Sequence, residues 1–302
     1  MEFTISGVTV NPFMLAGIGF LVGILGGFFG VGGGFIAAPF MLWSGVPTNF
    51  VVGTDLAHMT GKSMVALRHH RALGHVDAKL GGIMVIGTIF GVEGGAQMIE
   101  RLKHAGNLDL VIGVAYVIIL LIVSAFTAYE SIRALRMIQT DSIDAKDAIG
   151  FKGVARRVQN LRLPPYVSLP ASGIEKISIW SLILVGFLTG SLAGMLGVGG
   201  GFIRMPLLIY VLGIPTHVAV GTDLFEIIFS AGFGTITHAI KGNVDILMAL
   251  VMGTGAAIGA QIGATSTRFF VGPRIRLMFS VLPLIGAIMV ILNLFNDGII
   301  HF

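Results

Sequence analysis

The sequence predicts an all-α polytopic membrane protein. About ten hydrophobic segments are expected, laid out as two inverted five-segment repeats with Gly/Pro-broken half-helices. Three observations predict this. First, 55% of the 302 residues are hydrophobic, only 11% are charged and mean hydropathy is +0.92, which places the chain far from a soluble domain. Second, the chain repeats itself. Gly30-Val31-Gly32-Gly33-Gly34-Phe35-Ile36, Pro39, Gly45-Val46-Pro47-Thr48 and Gly53-Thr54-Asp55-Leu56 return as Gly197-Val198-Gly199-Gly200-Gly201-Phe202-Ile203, Pro206, Gly213-Ile214-Pro215-Thr216 and Gly221-Thr222-Asp223-Leu224. With Leu212 as a single insertion, 16 of the 27 aligned positions from Gly30 to Leu56 are identical, and His70, Gly74, Val76 and Asp77 continue the match to His238, Gly242, Val244 and Asp245. Third, the repeated motif interrupts a hydrophobic stretch at the same place in both halves. That pattern marks the binding region of secondary transporters.

Hydropathy places the segments at roughly 12–30, 33–45, 50–67, 80–100 and 108–128, then 178–197, 200–212, 218–238, 245–267 and 277–296. The second and seventh are too short to cross ~30 Å of hydrocarbon, which takes about 20 residues. Each opens on a glycine run and carries a proline, Pro39 or Pro206, so each reads as a half-helix folded against the end of its predecessor. The 44 glycines suit closely packed membrane helices. With no cysteine, disulfides, thiolate metal sites and cysteine nucleophiles are excluded. The first hydrophobic stretch lacks a basic leader and runs into the repeat, so no cleavable signal is expected.

Basic residues set the orientation. Arg68, Arg71, Lys79, Arg133, Arg136, Lys146, Lys152, Arg156, Arg157, Arg162, Lys176, Arg268, Arg274 and Arg276 fall on one side in this arrangement. Only Arg101, Lys103 and Lys241 fall on the other. The richer side is expected to be cytoplasmic, with both termini outside. The charge is thus distributed by topology, and nucleic acid is not an expected partner; the lipid bilayer is. The resulting organisation is a first membrane repeat over 1–128, a polar cytoplasmic linker over 129–177 containing Pro164-Pro165, and a second membrane repeat over 178–302.

Two basic residues, Lys62 and Arg204, sit inside apolar segments. A charge there costs about 2.5–3.5 kcal/mol on the insertion scale, so each is expected to face the bundle interior or a wet cavity. Asp55, His58 and Lys62 share one helix face at i, i+3 and i+7, and their repeat counterparts are Asp223, Glu226 and Ser230. Arg204 replaces the small Ala37. The helix starts after Gly32-Gly33-Gly34 and Gly199-Gly200-Gly201 offer unsatisfied N–H groups and a positive dipole end, an anion cradle if the two meet; glycines that only permit tight packing are the alternative. Asp55 and Asp223, in Gly-Thr-Asp after a proline, read equally as helix caps. Lys62 has an ion pair with Asp55 as its structural alternative. Glu226 lacks a carboxylate counterpart and is the candidate protonatable coupling group, with His58 beside it. Glu93, next to Gly94-Gly95, suits a packing role. His69, His70 and His75 cluster near a loop, but no metal site is expected from them, no cofactor is implied, and no catalytic residue is assigned.

The two copies of Gly-Val-Gly-Gly-Gly-Phe-Ile…Pro, each followed by Gly-Ile/Val-Pro-Thr and Gly-Thr-Asp, resemble the TauE/SafE family of sulfite and organosulfonate exporters over 12–128 and 178–296. The resemblance implies export of a small, sulfur-containing anion across the cytoplasmic (inner) membrane. It places the substrate near Gly32–Gly34, Gly199–Gly201, Asp55 and Asp223, with Arg204 and Lys62 expected to recognise its charge. A proton-coupled transporter or importer of another small anion, such as a carboxylate, is the nearest alternative. An intramembrane enzyme using His58, Asp55 and Glu226, or a membrane assembly partner acting through its linker, represent other classes. A homo-oligomer stays open as a further partner state. The long polar linker departs from a compact version of that fold.

Overall fold

A computed structural model describes residues 2–103, 108–141, 152–196 and 200–296. The chain begins with a small hairpin of β1 (Glu2–Phe3) and β2 (Val8–Thr9). Five helices follow: α1 (Pro12–Phe29), α2 (Gly34–Trp43), α3 (Thr48–Ala72), α4 (Ala78–Lys103) and α5 (Leu108–Asp141). The linker contributes α6 (Lys152–Gln159) and a second hairpin, β3 (Tyr166–Leu169) with β4 (Ile174–Ser178). The second half carries α7 (Ile179–Leu196), α8 (Gly201–Pro206), α9 (Thr216–Ile240), α10 (Ile246–Ser266) and α11 (Gly272–Asn296). The molecule is an all-α polytopic membrane protein apart from its two small hairpins. Among the described residues, six helical stretches are long and apolar enough to cross a membrane: Pro12–Phe29, Ala78–Gly95, Val117–Gln139, Thr216–Ile240, Ile246–Phe269 and Gly272–Leu292. Helix α3 has the length, but it carries Asp55, Lys62, Arg68 and Arg71.

The breaks fall where glycine permits them. Gly30 and Gly33 take φ of 77° and 80°, and Gly200 takes 67°, a left-handed conformation that a Cβ would strain. Gly33 and Gly200 are the N-caps of α2 and α8. Helices α3 and α9 start immediately after Pro47 and Pro215, as a fixed proline φ favours. Hence Asp55 and Asp223 lie two turns inside their helices and cap neither. The caps are elsewhere: Asp77 Oδ1 accepts from Leu80 N at 3.0 Å, and Asp245 Oδ1 from Met248 N at 3.1 Å. The expected linker also changes shape. Helix α5 runs on to Asp141 rather than ending near 128, so the polar stretch begins as a helical extension.

Packing exchanges elements between the halves. Helix α1 lies along α10, and α4 along α7, while α3 contacts α9 and α10, and α5 packs on α11. The α1–α10 contact is made backbone to backbone. A Cβ on Gly19, Gly23 or Gly27 would strike the carbonyls of Met252, Ala256 and Ala260. One on Gly255, Gly259 or Gly263 would strike those of Ala16, Phe20 and Ile24. Gly87, Gly91, Gly186 and Gly190 do the same for α4 and α7. With water-free surroundings on both sides, dispersion at this close approach is what holds such helices together. Large apolar side chains such as Phe13, Phe90 and Leu250 stay exposed on the outer faces, where lipid takes the place of water.

The Gly-Thr-Asp triplets stitch these halves. Gly53 admits the carbonyl of Asn243, and Gly221 admits that of His75. Thr54 Oγ1 accepts from Asp245 N at 3.0 Å, and Thr222 Oγ1 from Asp77 N at 2.9 Å. The hairpins close the same two corners: Ser6 Oγ donates to Asp245 Oδ2 at 2.8 Å, and Ser172 Oγ to Asp77 Oδ2 at 2.7 Å.

Candidate functional site

The buried charges collect where the glycine turns come together. A Cβ on Gly201 would lie 3.0 Å from Asp223 Oδ2 and 3.1 Å from both Gly32 N and Val31 Cα, so the turn ahead of α8 touches the turn ahead of α2. Of the glycines expected to form this cradle, Gly32, Gly33, Gly34, Gly200 and Gly201 are placed at that junction. Gly199 lies outside the described residues.

Arg204 projects from α8 with no solvent exposure onto α9. Its Nη1 donates to Asp223 Oδ1 at 2.7 Å and also meets Glu226 Oε2. Its Nε points at Thr189 Oγ1, 3.4 Å away. One guanidinium thus faces two carboxylates, which share a helix face because they are three residues apart. The arrangement is incomplete. Arg204 Nη2, Asp223 Oδ2 and Glu226 Oε1 are all buried without a hydrogen-bond partner. A buried polar atom left this way costs about 1–3 kcal/mol, more when charged. Ser230, the counterpart of Lys62, lies a turn further on, with Oγ 3.3 Å from Glu226 Oε2.

Lys62 is 1% exposed and reaches from α3 back to the first glycine turn, where Nζ donates to the Gly32 carbonyl and to Val22 O at 3.3 Å. Its ammonium rests against the bare faces of Gly26 and Gly33, where a Cβ would come within 2.7 and 3.0 Å. Among the described residues no carboxylate lies within ion-pair distance of it. The expected alternative, a pair with Asp55, is not what the structure contains: Asp55 Oδ1 instead lies 3.1 Å from His58 Nδ1. Aspartate therefore orients the imidazole, and His58 Nε2 is left buried and unpartnered. The two halves place their cations in opposite senses. Lys62 runs from helix to turn, and Arg204 from turn to helix.

Sequence reasoning missed a second buried network. Arg276 on α11 grips Glu130 on α5 through Nε–Oε2 at 3.1 Å and Nη2–Oε1 at 3.2 Å, and donates from Nη1 to Thr216 Oγ1 at 2.8 Å. Tyr210 donates to Glu130 Oε2 at 2.8 Å. Arg276 had been counted only among loop charges, and Glu130 only as part of the linker. Their burial at 2% and 0% shows a structural tie instead. Glu93 accepts from Gln97 Nε2 at 3.1 Å in an exposed turn of α4 and stands apart from the buried charges. Among the described residues no group of three His, Cys, Asp or Glu is arranged to hold a metal ion.

Comparisons with known proteins agree with this architecture. The family model described as "Sulfite exporter TauE/SafE" matches residues 15–290. The probable membrane transporter protein YunE of Bacillus subtilis is 26% identical over 292 residues, covering 94% of this chain and 98% of that protein. A probable membrane transporter protein of Methanocaldococcus jannaschii is 24% identical over 291 residues, 91% of this chain and 93% of that one. A sulfite exporter TauE/SafE family protein of Arabidopsis thaliana is 28% identical over 100 residues, 32% of this chain and 21% of its own length. No solved structure matches.

Proposed function

We propose a transport function from one premise: this chain belongs to the sulfite exporter TauE/SafE family. It is a multi-pass membrane transporter of the cell membrane, not an enzyme. Our reading is that it exports a small anion of the sulfite or organosulfonate class by alternating access. In this reading the two sequence repeats are inverted five-segment units, and the end rich in basic residues faces the cytoplasm.

The observation that carries the reading is the meeting of two glycine turns with a buried cation at each. Among the described residues Lys62 is held by carbonyls alone, so its charge is available to an anion arriving at Gly32–Gly34. Arg204 supplies a planar guanidinium whose Nη2 is free, a fork suited to paired oxygens of an oxyanion. Backbone N–H groups at Gly200–Gly201 complete the cradle. An inside-negative membrane would drive an anion outward by ~2.3 kcal/mol per charge per 100 mV, without nucleotide chemistry.

A second reading, proton-coupled transport, is favoured by a specific feature. Asp223 and Glu226 already hold Arg204 through Nη1, so an anion engages both arms of that guanidinium only when one carboxylate gives it up; in this reading protonation of Glu226 releases it. In this reading the Asp55–His58 pair, whose Nε2 is unpartnered, is the second coupling group. Proteoliposomes loaded with sulfite, an organosulfonate or a carboxylate, with imposed voltage or pH gradients, decide between the readings. Voltage-driven sulfite or sulfonate efflux from the wild type is expected under the first. Under the second, Glu226→Gln abolishes the response to a pH gradient. Transport of none of these anions would overturn both.

A further inference from the structure

At the basic end of the bundle, a row of three imidazoles, their planes tilted by 45° and 43° from one to the next, spans the seam between the two halves. His70 closes α3, His75 lies in the loop between α3 and α4, and His217 opens α9. Ring centroids are 5.7 Å apart for His70–His75 and 5.0 Å for His75–His217. Each end of the row is tied to backbone: His70 Nε2 is 2.8 Å from Gly27 O at the end of α1, and His217 Nε2 is 3.0 Å from Phe270 O between α10 and α11. Nδ1 of both His70 and His75 is buried without a partner.

The opposite end of the molecule has the same backbone corner without this chemistry. In the repeat alignment His70 corresponds to His238, but His75 corresponds to Asn243 and His217 to Asn49. Two of the three titratable rings therefore exist at one end only, although Gly53 and Gly221 receive the two loops identically. His75 and His217 thus have no imidazole counterparts at the other corner, where the sequence carries asparagine in both places.

We propose that His70, His75 and His217 form a pH-operated clasp that holds the basic-end seam shut at neutral pH and loosens it when that side acidifies. The physical cause is that neutral imidazoles pack at these distances and tilts, whereas a charge on His75 is disfavoured by burial and by the rings beside it. Burial, and then the neighbouring His217, push His75 down from the ordinary 6.5 to about 4. The sign follows. A base whose pKa is depressed in the closed arrangement stabilises closure fully above 6.5, and that stabilisation is lost as pH falls toward 4.

Other charges around the row are engaged elsewhere or share its sign. From α3 come His69 and Arg71. From the loop comes Asp77, whose carboxylate serves Leu80 N and Ser172. From the α10–α11 turn comes Arg268, lying over Phe269. From α11 comes Arg276, bound to Glu130 and Thr216. Helix α1 carries no titratable side chain.

The clasp rests on the alternating-access reading only for what opening accomplishes, so its test measures opening rather than transport. The chain has no cysteine, so spin labels at Leu73→Cys and Phe269→Cys, both exposed, report the distance across the seam. In wild-type background the separated population should grow on going from about pH 7.5 to about pH 4.5, by up to about tenfold per pH unit as His75 charges. In His75→Asn/His217→Asn, which copies the opposite corner, the distribution should not respond. The single substitutions, each checked by thermal melting, should respond less than the wild type. A wild-type distance unchanged by pH overturns the clasp whatever the variants do. So does a full response retained in the double variant or in both single ones.

Discussion

At the residue scale, the chemistry turns on Arg204 and what surrounds it. The fully buried guanidinium between Asp223 and Glu226 forms a structural ion pair, and under the proposed function it also binds the anion; the two roles predict different mutants. Arg204→Ala leaves two buried carboxylates uncompensated, a loss of about 3–5 kcal/mol for breaking a buried pair by one partner. Removing Glu226 as well relieves part of that cost, because one buried carboxylate rather than two is then left without a counter-ion. Thermal melting of Arg204→Ala and Arg204→Ala/Glu226→Ala should therefore show partial recovery of stability in the double variant. Transport should stay absent from both if Arg204 binds the anion. Restored transport in the double variant would reduce Arg204 to a structural residue. The two aspartates of Gly-Thr-Asp carry a further lesson. Spacing from the proline made helix caps a sound reading, but the helices start at Thr48 and Thr216, so the caps fall to Asp77 and Asp245.

At the scale of elements, two features were written in the repeat alignment and became legible only in three dimensions. The single inserted Leu212 appears as a π-helical turn over Leu207–Val211, with Leu212 N bonding to Leu207 O at 3.1 Å, five residues back. One extra residue in a helix has nowhere else to go without breaking the ladder. The same turn carries Tyr210 to Glu130, whereas its counterpart Trp43 is 81% exposed. The second feature is the four-residue glycine spacing on α1 and α10, where the helix backbones touch. Gly23→Leu and Gly259→Leu should prevent assembly, since a Cβ there overlaps the facing backbone. Gly253→Leu, with nothing within 4 Å, should be tolerated. Monodispersity after detergent extraction distinguishes them; equal behaviour of all three would refute backbone contact as the organising force.

At the scale of the whole molecule, the contacts collect the basic residues at one end. Lys79 donates to Ser168 O at 3.1 Å, Gln159 to Leu212 O at 2.8 Å, and His217 meets Phe270 O, so the α3–α4 loop, the linker and the α10–α11 turn share a side. The Ser6–Asp245 corner brings the N-terminal hairpin to the α9–α10 loop, which carries Lys241. Positive-inside reasoning then puts the first group in the cytoplasm. A cysteine at exposed Thr4 should react with an impermeant maleimide added to intact cells, and one at exposed Asn160 should react only after lysis. The reverse pattern would invert the molecule.

By itself the sequence determined the medium, the family, and most segment edges to within about five residues, the end of α5 excepted. It also determined that two glycine-broken turns would accompany buried charges. These follow from local properties: hydropathy, glycine's left-handed φ, proline's fixed φ, and a duplicated spacing. Only the tertiary structure decided who partners whom. Lys62 goes to the Gly32 carbonyl rather than to Asp55, and Arg204 takes both carboxylates of α9. His75 packs against His217, not His69, and Glu130 finds Arg276 across 146 positions. Two of these pairings, His75–His217 and Glu130–Arg276, cross between the halves, and the other two join a helix to a turn or to the next helix of the same half. No local signal encodes them, because the partner of a buried charge is set by how the helices and turns pack around it, within one half for Lys62 and Arg204 and across the halves for Glu130.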